Sequence, residues 1–197
     1  MRAGGKRFNL FFIGIISFIL LPGFEINDIQ EKLEEGDRLI SAKKYAEAEN
    51  ILNEILQEVS KENPNPQEEL SKNIVIPRIY FNLGAIQYKQ EKFENAKSYF
   101  EKVLNFQFKS YWDVKAIYNM GLIDYDLKKY EEARKNFIRI LAEYPDSGDA
   151  PQAQYYIGLC YELENNKADA KDAFKKFIEL FPKHPWIEKV KMKLGQE

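Results

Sequence analysis

The sequence holds one cysteine, Cys160, and one histidine, His184. A single cysteine excludes an internal disulfide and any paired-cysteine zinc or redox site. A single histidine excludes a histidine-rich metal centre. Neither charge sign dominates: 29 Lys and Arg stand against 31 Asp and Glu. Polyanion binders carry a basic excess or a basic block, so nucleic acid is not an expected partner. Ten glycines and eight prolines in 197 residues are too few for a many-turned β-sandwich. Charged residues at 30% and apolar ones at 45% keep the bulk of the chain out of both the disordered and the membrane-embedded classes. No phosphate-loop, dinucleotide, zinc-protease or nucleophile-elbow string occurs.

The few reactive side chains read as structural. His184 lies between Pro182 and Pro185, in a turn exposed to solvent. Cys160 follows Gly158 by two residues, at a helical position that suits a small buried thiol. Acid pairs such as Glu34–Glu35, Glu68–Glu69 and Glu131–Glu132 read as solvated helix faces. No catalytic residue, metal site or cofactor is expected, and the chain is read as a non-enzyme.

What is present begins with a separate N-terminal object. Arg2, Lys6 and Arg7 precede the apolar run Leu10 to Leu21, which Pro22 and Gly23 break. This is the order of a secretory signal. The uncharged run from Phe8 to Phe24 is slightly short of the ~20 residues of a spanning helix. Leu21 is too large to precede a cleavage site after Gly23. Residues 1–23 are therefore a signal peptide or a retained N-terminal anchor, and membrane attachment would run through residues 8–24. A lipid-accepting cysteine would have to follow the apolar run, and Cys160 is too far along. Without residues 1–23 the balance is 26 basic against 31 acidic.

The remainder repeats. Gly36, Gly84, Gly121 and Gly158 are each followed after twelve residues by Ala48, Ala96, Ala133 and Ala170. Four residues further stand Leu52, Phe100, Phe137 and Phe174, then Ile55, Val103, Ile140 and Phe177. The last three units are 37 residues apart and the first two 48. The extra length falls in Lys61 to Asn73, a polar stretch with two prolines that reads as an enlarged loop. Within each unit, apolar residues recur at the i, i+3, i+4, i+7 spacing of two amphipathic helices. Glycine and alanine at facing positions let the helices approach, and Pro145 and Pro182 end the second helices. Phe93 and Tyr130 pack over the crossing.

These columns resemble the tetratricopeptide repeat, and the resemblance covers residues 27–182. It implies an all-α superhelix of about four helix-turn-helix repeats over residues 27–195. The repeats fall at about 29–60, 77–109, 114–146 and 151–182. A capping helix over 185–194 covers the last repeat with Trp186, Ile187, Val190 and Leu194, because a terminal repeat otherwise exposes an apolar face. The phrases ILAEYPDSGDAPQAQYYIGLCYE and FIELFPKHPWIEKVKMKL are similar to two kinds of bacterial envelope protein. One is the D component of outer-membrane barrel assembly, whose members are lipoproteins. The other is the periplasmic Tol-Pal-associated type.

In this repeat family the first helix of each pair lines a concave groove. The positions two and three before the glycine, and one and four after it, point into it. The resemblance therefore places a partner-binding strip at Phe81, Asn82, Tyr88, Tyr118, Asn119, Tyr125, Tyr155 and Tyr156. Rigid aromatics with a polar tip give contact area at low entropy cost, and asparagine can bond a peptide backbone through both amide atoms. The carboxylate clamp of chaperone-docking repeats is not expected, since Leu33, Asp37, Phe81 and Ala85 occupy its positions and only Asn82, Lys115 and Asn119 fit. The expected function is an exported protein-protein interaction scaffold. It would be periplasmic, or anchored facing the periplasm, and bind a peptide or protein of an envelope assembly complex. The alternative is a peptidoglycan-associated or carbohydrate-binding repeat protein that supports envelope enzymes.

Overall fold

In the computed structural model, residues 26–60, 66–106 and 109–195 are described. The basic and apolar segment read above as signal or anchor lies outside them. The described residues form helices only: α1 (Ile26–Ser41), α2 (Tyr45–Val59), α3 (Pro66–Lys89), α4 (Phe93–Leu104), α5 (Tyr111–Asp126), α6 (Tyr130–Glu143), α7 (Ala150–Leu163), α8 (Lys167–Leu180) and α9 (Ile187–Leu194). Each helix packs on the next. Among the described residues no helix is long and apolar enough to cross a membrane.

The helices pair through the small-residue columns. Ala48, Ala96 and Ala133 are fully buried. Phe100, Phe137 and Phe174 lie over Gly84, Gly121 and Gly158 so closely that an added Cβ would meet ring carbons at 2.7, 2.7 and 2.4 Å. Only glycine admits a phenyl ring there. Burying each ring contributes about 1.5–3 kcal/mol.

The turn inside each pair repeats as faithfully. Lys43, Glu91, Lys128 and Asn165 have φ of 60°, 59°, 59° and 60°, the left-handed region. Each turn closes through a backbone N–H reaching back five residues, from Lys44, Lys92, Lys129 and Asn166 to the carbonyls of Leu39, Gln87, Asp124 and Tyr161 at 2.8–2.9 Å. This is the helix-ending loop usually built on glycine, here made without one. At the head of α5, Ser110 accepts from the Trp112 N–H at 3.2 Å, while Asp113 accepts from the Ser110 N–H at 2.6 Å. That reciprocal cap satisfies donors the helix cannot.

A polar joint links each pair to the next. The residue three after the glycine meets the residue one after the preceding alanine. Gln87 donates to Glu49 at 2.7 Å. Lys97 is ion-paired with Asp124, which is 2% exposed and also accepts from Asn136 at 3.1 Å. Arg134 lies over the Tyr161 ring at 4.2 Å and pairs with Glu164.

The array ends as the repeat pattern predicts. Val190 of α9 is fully buried with Phe174 and Phe177, and Trp186, Ile187 and Leu194 pack around it. Trp186 meets Tyr155 edge-on at 5.4 Å. His184 is half-buried rather than exposed: its ring meets Phe177 and Trp186, each at 5.4 Å, and Nδ1 accepts the Trp186 N–H at 3.2 Å. Cys160 is fully buried, and burial pushes its thiol up to about 12, so it stays protonated and unreactive.

One element differs from the expectation. The stretch from Lys61 to Asn73 is not wholly a loop, because α3 starts at Pro66 and runs for 24 residues. Proline at the first helical position costs nothing, since that N–H has no partner in a helix anyway. Pro77, inside the same helix, is buried.

Candidate functional site: the inner row of the first helices

The first helices approach one another along the array: α1 touches α3, and α3 touches α5. That side carries the strip singled out from the sequence. The structure divides the eight residues into two groups.

The column three before each glycine packs against the core, where Tyr155 is buried and Phe81 and Tyr118 stay half-exposed. Phe81, Tyr118 and Tyr155 each pack on the phenylalanine that covers their own repeat's glycine, Phe100, Phe137 and Phe174, with ring centroids 5.7 Å apart in every case. Tyr155 is 5% exposed under Trp186 and Lys189, so the expectation that it presents itself to a partner is corrected. Phe81 is wedged between Phe100 and Trp112. Asn82 is 7% exposed and donates to Asp37 at 2.7 Å. Arg78 binds the other Asp37 oxygen at 2.6 Å. Asn82 therefore fixes the first two pairs together rather than a ligand. The contact of this column with the hairpin partner was predictable: three residues back along a helix is nearly one turn, on the same face as the glycine.

The remaining residues stay half-exposed and gather over α3, α5 and α7. Tyr125 meets Tyr156 edge-on at 5.2 Å, and Tyr118 meets Tyr156 edge-on at 6.0 Å. The Tyr156 ring is stacked on Phe137 at 5.2 Å. Tyr88 packs on Phe93, and Tyr125 on Tyr130, both at 5.9 Å. This is where the aromatics at the turns sit. The Tyr88 hydroxyl donates to Asp126 at 2.6 Å, a residue that sequence reasoning missed because it stands one place beyond the expected column. Asn119 donates to the Lys115 carbonyl at 2.8 Å, so one of its donors is spent within its own helix. Lys115 pairs with Asp149 at 2.8 Å.

Electrostatics keeps these phenols neutral. Burial lifts Tyr88 far above an ordinary phenol, helped by the Asp126 hydrogen bond and charge. Burial likewise raises Tyr118, aided by Tyr156 and Asp149, and Tyr156, aided by Asp126. Burial pushes Tyr125 up to about 12. At neutral pH the row thus offers hydroxyls that donate and accept, with ring faces beside them. Among the described residues, no group of three or more His, Cys, Asp or Glu could hold a metal ion.

The described helices have the tetratricopeptide-repeat fold, and domains of that fold bind protein partners. Residues 77–109 match the tetratricopeptide repeat itself. Residues 111–194 match the family described as Outer membrane lipoprotein, so the C-terminal part of the chain resembles that family and points to the cell envelope. No curated protein matches the chain. Solved structures share the fold. MamA from Desulfovibrio magneticus RS-1, residues 41 to the end, aligns over 86% of this chain and 82% of its own at 20% identity and a TM-score of 0.61. The Pseudomonas aeruginosa pilF protein aligns over 85% and 66% at 16% identity and 0.58. YrrB, described as a TPR protein with an unusual peptide-binding site, aligns over 83% and 74% at 19% identity and 0.57. At these identities the likeness shows the fold alone.

Proposed function

We propose that the chain is a non-catalytic adaptor of the bacterial cell envelope that binds a peptide or partner protein along the inner row. It would act in the periplasm, or face it from a membrane attachment through residues 8–24. Its partner would belong to an envelope assembly complex or be a periplasmic protein. The observation that carries the groove reading is the set of half-exposed tyrosines, Tyr88, Tyr118, Tyr125 and Tyr156, held neutral and side by side on the first helices. Tyrosine is among the commonest interface hot spots, each worth about 2 kcal/mol or more when truncated. The similarity of residues 111–194 to an outer-membrane lipoprotein family supports the envelope, as does the basic-then-apolar N-terminus.

The test is crosslinking in cells, with the captured protein identified by mass spectrometry. Changing Tyr88→Ala together with Tyr125→Ala should remove the crosslinked partner while circular dichroism stays unchanged. Capture that survives this pair but fails when the outward side chains of α4 and α6 are altered would move the interface to the outer face. Retention on purified peptidoglycan, with no protein captured, would favour the cell-wall alternative.

A further inference from the structure

Among the described residues, one carboxylate of the inner row has no counter-ion. Asp126 is exposed, and among the described residues no ion pair reaches it. The other inner carboxylates are each neutralised: Asp37 by Arg78, Asp149 by Lys115 and Glu162 by Lys193 at 2.7 Å. Asp126 has instead a phenol. The Tyr88 hydroxyl, from the neighbouring repeat, holds one carboxylate oxygen and fixes its direction. Tyr88 holds Asp126 directly, and Tyr125, the next residue back in the chain, meets Tyr156 edge-on at 5.2 Å. Tyr125 and Tyr118 each stand nearly perpendicular to Tyr156, so the walls form a corner of ring faces and edges rather than a flat patch.

A corner of ring faces beside a fixed, unpaired carboxylate is complementary to one kind of group. The face of a phenol attracts a cation within ~6 Å of its centroid, and a carboxylate takes a charge-assisted hydrogen bond from the same cation. An acidic group would be repelled by Asp126, and a plain aliphatic one would leave its charge unused. We infer that Asp126 with Tyr88, Tyr125 and Tyr156 forms a subsite for one lysine or arginine side chain of an extended peptide lying along the inner row. This rests on the groove reading above and deepens it. The peptide's basic residue is the register mark, and the rings of Tyr118 and Tyr156 flank it with apolar contact.

The experiment uses the full chain, immobilised in mild detergent, to select from a display library of random extended peptides. Selected peptides should carry Lys or Arg at one fixed position at about fivefold or more above the input, the size of a modest cation–ring attraction plus one charged hydrogen bond. Selection on the Asp126→Asn variant should lose that preference and keep the others, because the substitution retains shape and hydrogen bonding but removes the charge. Peptides enriched with no basic position, or with a basic position that Asp126→Asn leaves intact, would overturn the subsite while leaving the groove standing. No enrichment over bare support would overturn both. A Tyr156→Phe variant, expected to keep the basic preference, separates the ring's role from that of its hydroxyl.

Discussion

The first helix pair and the three that follow share one blueprint and differ at its centre. In the later pairs a phenylalanine ring occupies the space a Cβ would need, with contacts of 2.4–2.7 Å to an atom built there. In the first pair the residue over the glycine is Leu52, and a Cβ on Gly36 would stand 3.4 Å from its nearest carbon. The same sequence letter therefore has two physical meanings. In α3, α5 and α7 glycine is a steric requirement. In α1 it is a position where a methyl group fits. The inner row divides the same way: three before the glycine the first pair has Leu33 where the later pairs have Phe81, Tyr118 and Tyr155, and four after it Ile40 where they have Tyr88, Tyr125 and Glu162.

Three experiments break or sharpen this contrast. The largest effect is expected at the tightest contact. Gly158→Ala forces the Phe174 ring to move and should destabilise by about 1–3 kcal/mol, the usual overpacking cost, read by chemical denaturation. A midpoint equal to that of the parent would mean the ring yields freely. A second test asks whether the ring is the cause. Phe137→Leu places in the third pair the residue type that the first pair has, so Gly121→Ala should cost less in its presence. The double-mutant cycle should show a coupling of about 1 kcal/mol, and additive effects would reject the steric explanation. The smallest effect has the opposite sign. Gly36→Ala should raise stability by about 0.5–1 kcal/mol, because alanine loses less freedom than glycine on entering a helix and meets no clash. A lower melting temperature for this variant would show that the first pair is as tight as the others.

Much of the fold was legible because the repeat states its contacts in columns. The glycine and alanine spacing located the hairpin crossings, and the run from Trp186 to Leu194 announced a cap. What failed did so for definable reasons. Pro64 and Pro66 were read as breakers, yet Pro66 opens α3, where its fixed φ suits a first turn. The surroundings of the proposed strip could not be read residue by residue. A helix face is about 100° per step, so a column three before the glycine leans toward the hairpin partner, and Tyr155 and Phe81 pack against the core. Asn82 was claimed by Asp37 from the neighbouring pair, a partner 45 residues away that no local spacing reveals. Asp126 lay one position outside the strip taken from the family pattern, and only its contact with Tyr88 brought it in.

The joints between pairs have a consequence for how the chain finds its own order. Units of nearly equal shape invite docking on the wrong neighbour, especially while the chain is being made. Here the three joints speak different chemical languages: an amide with a carboxylate, an ammonium with a carboxylate, and a guanidinium with a ring. If the third pair skipped the second and settled on the first, Asp124 would face Glu49, two acids at a site where Asp124 is 2% exposed. Burying one unpaired charge against another of the same sign is far more costly than any hairpin gains from a mismatched neighbour. The acid at the second boundary thus acts as an address that keeps the third pair from settling on the first.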